Sequence, residues 1–317
     1  MKSKLYTTTW RSPAGSTGSH FGFFADTDVA MVVPGVVTNA MTVDVEDYFQ
    51  VSAFENSVRT EDWESYPLRV GQNVETILKL FADYGVHATF FVLGWVAERQ
   101  PEIVKRIAAA GHEIASHGYA HQRVTFQSPD QFRTDVGRAR KLLEDITGLS
   151  VRGYRAPSFS INGDTPWAFE ILAEEGYAYS SSIYPIRHDL YGMPEAPRFP
   201  FRPLRGHAFL EVPITTFVLG GLNLPCGGGG YFRLLPHNVC HWGIQRVNER
   251  ERKPAVFYFH PWEIDPDQPR IDGASAKARF RHYTNLKHMR SKLEKTLSRF
   301  SWDRMDRVFG VGADGER

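Results

Sequence analysis

The chain has 317 residues and a formal net charge of +1, with 37 Lys and Arg against 36 Asp and Glu. That balance gives no support to a nucleic-acid partner, which favours a basic face, and no segment reaches the length of a membrane span. Hydrophobic residues make up 42%, enough for a full core, and two cysteines, Cys226 and Cys240, imply no disulfide framework.

Residues 1–30 are polar and Gly/Ser-rich, and no apolar stretch directly follows Lys2, Lys4 and Arg11. They do not read as a secretory signal. They read as a disordered leader, with Met31 as an alternative start. From there short β-rich runs alternate with amphipathic helices. VVTNAMTVDV (residues 36–45) predicts a buried strand, and Val74, Ile77, Leu78 and Phe81 recur at helical spacing up to Gly85. HATFFVLG (87–94) predicts a second strand. Pro101 opens a helix that Gly111 closes. HEIASHG (112–118) is a third strand, Ser128-Pro129 starts a helix ending at Gly148, and RGYRAP (152–157) is a fourth strand. A helix from Pro166 to Gly176 leads to YAYSSSIYP, and FLEVPI (209–214) and AVFYFHP (255–261) are later strands.

Such alternation argues for a parallel α/β fold of about seven units, a barrel rather than an open sheet. Chemistry in such barrels sits at the C-terminal ends of strands. The unusual polar residues fall there: Asp44, Glu46 and Asp47 at the first strand, His117 and His121 after the third, Arg155 after the fourth and His260 after the last. Residues 31–266 are expected to form the barrel. Residues 267–317, basic and with Leu286, Met289, Leu293, Leu297 and Phe300 at helical spacing, form a helical extension packed on it.

SHGYAH sets His117 and His121 four apart. On one turn of helix both imidazoles lie on one side and can share an ion; the alternative is two capping or surface histidines. Two histidines and a carboxylate make a facial triad with open positions, and a second carboxylate beside it could take a proton from bound water. Arg155 either orients an acid of the cluster or forms a structural salt bridge. His260, flanked by Trp262 and Glu263, is a core histidine or a proton donor. CGGGGYFRLLP, with Gly227 to Gly230 in a row, lacks the Gly-Lys-Ser/Thr ending of a phosphate loop. Its glycines allow a close backbone approach.

The ordered set TVDVED, SHGYAH, RAPSF and FYFHPWE resembles the polysaccharide deacetylases with the NodB homology fold, over roughly residues 36–266. NAMTVDVEDYFQV, GGGYFRLLP, FYFHPWEID and the helical tail are similar to the subgroup associated with exosortase and exopolysaccharide gene clusters. The resemblance implies a distorted (β/α)7-type barrel, a divalent metal, usually zinc (Zn2+), and hydrolysis of N-acetyl groups on amino sugars of a polysaccharide. It makes Asp44 the base, His117 and His121 metal ligands, Arg155 the residue that orients the base, and His260 the acid. Tyr48, Tyr231 and Trp262 are the expected substrate contacts.

The sequence departs from the family pattern twice. Val45 stands where the family has a metal-binding aspartate, so the carboxylate ligand moves to Glu46, by strand alternation with Asp44, or to Asp47. Ser180, Ser181 and Ser182 stand where the family often has an aspartate that tunes the acid histidine, which moves that role to another acid such as Asp189. Two other readings stay open: an allantoinase-like amidohydrolase acting on a small ureide, and a non-catalytic glycan-binding relative. The expected location is cytoplasmic, where the inner face of the membrane would offer an exported glycan's intermediate.

Overall fold

The computed structural model describes residues 36–311. Its strands are β1 (Thr38–Val45), β2 (Thr89–Val92), β3 (Glu113–Ser116), β4 (Gly153–Tyr154), β5 (Tyr179–Ser180), β6 (Leu210–Glu211), β7 (Thr216–Leu219), β8 (Leu222–Pro225), β9 (Val256–Phe259) and β10 (Ser301–Asp303). Its α-helices are α1 (Val70–Tyr84), α2 (Gly94–Arg99), α3 (Pro101–Ala109), α4 (Pro129–Thr147), α5 (Trp167–Glu174), α6 (Gly229–Leu234), α7 (His237–Arg250), α8 (Ala276–Tyr283), α9 (Leu286–Arg299) and α10 (Met305–Phe309). The leader expected over residues 1–30 lies outside the described residues.

Parallel pairing runs β1-β2-β3-β4-β5-β6, and β9 joins β1 on its other edge. Ala40 pairs with Val256 of β9 and with Asp303 of β10, so these two strands flank β1 on opposite sides. Beyond Ala40, Thr42 to Val45 pair with β2. Among the described residues β6 and β9 do not pair, so the barrel is open on that side. An antiparallel hairpin, β7-β8, stands apart from the main sheet.

The helices begin and end where local chemistry dictates. Ser128 and Gln131 form a reciprocal capping box ahead of α4, Pro129 sits in its first turn, and Gly148 ends it at φ +69°. One face of the strands packs on the helices through residues such as Val43, Phe90, Ile114, Ile77 and Phe81. The other face fills the barrel with Ala40, Phe91, Ala115, Tyr179, Leu210 and Tyr258. Cys226 and Cys240 are buried free thiols.

The C-terminal segment does more than lie on the barrel. Besides two helices it supplies β10 to the sheet, and Met305 and Phe309 of α10 join the interior cluster. The Met305 N–H donates to Thr89 Oγ1 at the start of β2 (2.8 Å), so α10 stoppers the end of the barrel opposite the strand C-termini.

Near that floor, His112 Nδ1 accepts the N–H of Ala88 (3.1 Å), a role open only to a neutral imidazole. Burial, with His87 and Arg304 adding to it, pulls His112 down to about 4. Its folded value is depressed, so its stabilisation is present above the ordinary histidine range and is lost as pH falls from about 6.5 towards 4. Melting temperature is expected to drop across that window, with a contribution on the order of 3 kcal/mol. His112→Gln is expected to flatten that limb; an unchanged slope would assign it to other groups.

Candidate active site

The strand C-termini converge on a cleft of about 320 Å³ whose walls include Asp44, Glu46, His117, His121, His260, Tyr231 and Trp262. Asp44 is the penultimate residue of β1. Arg155, fully buried just after β4, donates from Nη1 to Asp44 Oδ1 (2.6 Å) and to Thr42 Oγ1 (2.8 Å). Its Nε and Nη2 donate to the carbonyl and hydroxyl of Ser181, both at 3.0 Å. The guanidinium therefore bridges β1 to the end of β5 and fixes one oxygen of Asp44.

Glu46 follows a tight turn in which its N–H donates to the Asp44 carbonyl (3.0 Å). This turn, lying past the end of β1, brings Glu46 beside Asp44; strand alternation does not reach it. Trp262 Nε1–H donates to Glu46 Oε1 (3.1 Å). Glu46 Oε2 is buried and accepts no hydrogen bond, although His121 Nε2 lies 2.7 Å away. His117 Nδ1–H donates to the Arg155 carbonyl (2.8 Å), an atom that can only accept, so Nε2 is the lone-pair nitrogen. One donor atom each from Glu46, His117 and His121 lie within 4.8 Å of one another.

The two histidines do not share a helical turn, as their spacing suggested. They lie in an irregular loop after β3, where Gly118 at φ +74° and His121 at φ +54° fold the chain back on itself. A histidine in the left-handed region is strained backbone, held here by the surrounding structure. Burial pushes Glu46 up, but the imidazoles of His121, His260 and His117 outweigh it and hold the carboxylate well below its ordinary value. Burial pulls His117 down to about 4, which keeps it neutral and able to ligate. An orphaned carboxylate oxygen facing two neutral-capable imidazoles is the donor set a divalent metal takes, with positions left open for water and substrate.

His260 follows β9. Its Nε2 lies 3.6 Å from Glu46 Oε1 and 4.0 Å from Asp44 Oδ2, and its Nδ1–H donates to Glu263 Oε1 (2.6 Å). Burial pulls the imidazole down, but Glu46, Glu263 and Asp44 outweigh it and raise it to about 9. Asp44 Oδ2 and His260 Nε2 thus lie 4.0 Å apart beside the three-donor cluster.

The sequence profile of the polysaccharide deacetylase family matches residues 63–179. The segment from residue 63 to residue 179 belongs to the polysaccharide deacetylase family. A second profile, a domain of unknown function called DUF3473, matches residues 181–310. The chain is 33% identical over 110 residues to a peptidoglycan deacetylase of Helicobacter pylori, covering 35% of this chain and 36% of that protein. It is 36% identical over 95 residues to a peptidoglycan-N-acetylglucosamine deacetylase of Bacillus cereus, covering 30% of this chain and 34% of that one. The chain spans about a third of the length of these curated relatives. A crystal structure from Mycobacterium smegmatis, named for a polysaccharide deacetylase, shares the fold with a TM-score of 0.55 at 22% identity, over 89% of this chain and 92% of that one.

Several expectations are corrected by this geometry. Asp47 does not face the cluster: its carboxylate accepts the N–H groups of Arg69 (2.7 Å), Val70 (2.9 Å) and Tyr48 (2.9 Å), capping the start of α1. Burial, against those three N–H groups, raises it to about 6. Tyr48 is fully buried with its ring edge-on to Phe49, so it cannot touch substrate. Trp262 reaches the cleft, but its ring stacks with His260 and His282 and its N–H holds Glu46. Tyr231 lines the cleft as expected, beside Tyr191 and His188. Asp189 is exposed and paired with Lys277 and Arg281, away from His260.

The carboxylate on His260 is Glu263, which the sequence reading had only as a flanking residue. The signal was present in HPWE: three residues is the span at which a side chain folds back on the residue before a short helical turn, and Glu263 also accepts the His260 N–H (3.2 Å). Ser182 holds the N–H of Ala156 (2.9 Å), so the serine run scaffolds the segment around Arg155.

Glu46→Ala, His117→Ala and His121→Ala are each expected to abolish tight binding in a Zn2+ titration followed by calorimetry. Asp47→Ala is expected to keep the ion and to lose about 1 kcal/mol of stability, the worth of a helix cap. Loss of the ion in Asp47→Ala with an unchanged melting temperature would reverse the two assignments.

Proposed function

We propose that this chain removes acetyl groups from N-acetylated amino sugars of a polysaccharide, using a zinc ion held by Glu46, His117 and His121. The observation that carries this reading is the placement of an Arg155-fixed Asp44 and a Glu263-bound His260 beside three convergent donor atoms in one cleft. When bound, the ion would polarise the acetyl carbonyl and acidify water.

The chain's own residues supply the proton transfers. Arg155 holds Oδ1 of Asp44, which leaves Oδ2 as the oxygen that takes the proton from the attacking water. The water oxygen bonds to the acetyl carbon and the C–N bond breaks. His260 gives its Nε2 proton to the departing nitrogen, so acetate and a free amine leave. Thr42 and Ser181 keep Arg155 from swinging, and so keep Asp44 in one orientation.

The relatives' names support an N-acetylglucosamine polymer as the substrate class, peptidoglycan among them. The quoted motifs favour an exopolysaccharide. The deciding measurement is acetate release from a panel of N-acetylated oligosaccharides and peptidoglycan fragments, alongside metal content of the purified protein. Absence of release across the panel from zinc-loaded protein would defeat the proposal.

Asp44→Asn is expected to retain zinc and to lower turnover by roughly two to four orders of magnitude, the usual worth of a positioned acid–base group. Near-full activity in that variant would remove Asp44 from the reaction. The rate is expected to fall as pH rises through the His260 value, because the proton for the amine comes from the imidazolium. His260→Ala should remove that limb together with most of the turnover.

A further inference from the structure

Arg233 is a buried residue at the wall of the cleft, and its side chain reaches His260 through Glu263. Its Nε donates to Glu263 Oε2 (2.7 Å), while Glu263 Oε1 holds His260 Nδ1 (2.6 Å). Its Nη1 donates to the carbonyls of His282 (2.7 Å) and Thr284 (3.0 Å), and its Nη2 to that of Arg281 (2.8 Å). These carbonyls close α8, where a helix has unpaired acceptors and favours a cation. The guanidinium also lies 5.1 Å from the Trp262 ring, which stacks with His260 and with His282 of α8.

The glycine run explains how Arg233 gets there. Gly228, at φ +115°, pairs in parallel with Tyr258 of β9, and a Cβ at this position would strike the Tyr258 carbonyl. Only glycine lets the chain lie against β9 two residues before His260 and then turn into α6, whose fifth residue is Arg233. Lys292 of α9 fixes the end of α6 through the carbonyls of Phe232 (3.0 Å), Arg233 (2.8 Å) and Leu235 (2.8 Å). Asn285 adds a fourth bond, to the Arg233 carbonyl (3.0 Å).

We propose that Arg233 is a positioning residue for His260, acting through Glu263, and that the segment from α8 to α9 thereby forms part of the active-site machinery. Glu263 is wholly buried, and a buried carboxylate persists as an anion only when it is paired and hydrogen-bonded. Arg233 provides the pairing on Oε2. The anion's Oε1 then accepts the imidazole Nδ1–H, which fixes the tautomer and aims Nε2–H into the cleft. Without the guanidinium, Glu263 would take up a proton and could no longer hold Nδ1–H in one orientation. Lysine cannot replace the fork: one ammonium has three donors, against four bonds made by Arg233 to Glu263 and the three carbonyls.

This inference rests on the deacetylase reading for its kinetic arm, and on the side-chain geometry alone for its spectroscopic arm. In the zinc-loaded full chain, the His260 Nδ1 proton is expected as a far-downfield resonance, assigned by its absence in His260→Ala. Arg233→Lys and Glu263→Gln are expected to move or erase that resonance while keeping zinc. In acetate release, both should lower kcat by about one to two orders of magnitude with KM nearly unchanged, as a misplaced catalytic group does. The double variant Arg233→Lys/Glu263→Gln should cost no more than the worse single one, because both act through one route.

An unmoved resonance with wild-type kcat in Arg233→Lys would overturn the proposal, and so would additive losses in the double variant. A lowered melting temperature with resonance and kcat intact would make Arg233 a purely structural residue, which also overturns it. Should Arg233→Lys fail to fold, Glu263→Gln, which keeps the side-chain shape, carries the same two readouts. If no substrate is turned over by the wild type, the deacetylase reading fails, and the resonance still decides whether Arg233 positions His260.

Discussion

The buried guanidinium of Arg155 is the interaction on which the rest of the site depends. Taking such a charge out of water costs several kcal/mol unless its donors are all answered. Here each of the three nitrogens has a partner among Asp44, Thr42 and Ser181, with the face of the guanidinium 4.1 Å from the Phe91 ring. Those partners come from β1, from β2 and from the end of β5. The cation therefore ties the C-terminal ends of the strands to one another while it fixes the carboxylate. Its backbone carbonyl orients His117 as well, so one residue sets the geometry of both Asp44 and His117.

Adjacent carboxylates have been separated into different tasks by what surrounds them. Asp44 meets a guanidinium, Glu46 meets two imidazoles and an indole N–H, and Asp47 meets the first N–H groups of a helix. Side-chain chemistry alone does not distinguish the three. The tight turn at Glu46 does, because it sends residue 46 into the cleft and residue 47 under α1. The same principle operates at His260, where burial opposes the charged form and three carboxylates outweigh it.

The matched family segments divide the chain near residue 180, but the chemistry does not respect that division. Asp44 precedes the deacetylase match, His117, His121 and Arg155 lie within it, and His260, Glu263 and Arg233 lie in the second match. The C-terminal part contributes β9 on one edge of β1 and β10 on the other, stoppers the barrel with α10, and packs α8 and α9 behind His260. It is built into the barrel at both ends.

Much of this was legible in the sequence. Strand–helix alternation, helix stops at Gly85 and Gly148, and polar residues at strand ends predicted a parallel barrel with its chemistry at one mouth. The motifs picked out Asp44, Glu46, His117, His121, Arg155 and His260, and the structure brings these six together. Periodicity and caps are local, encoded within a few residues of where they act, so they survive in a one-dimensional reading. What stayed hidden was non-local. The partners that turn Asp47 onto Arg69 and Val70 and draw Arg233 to Glu263 lie 22 to 30 residues away. β10, three residues long, has too short a run to announce itself as a strand. The sequence alone singled out the carboxylates, imidazoles and guanidinium that the structure brings to one cleft. Only the tertiary structure decided which carboxylate faces the histidines and which caps a helix, because burial and hydrogen-bond partners are properties of the packed chain.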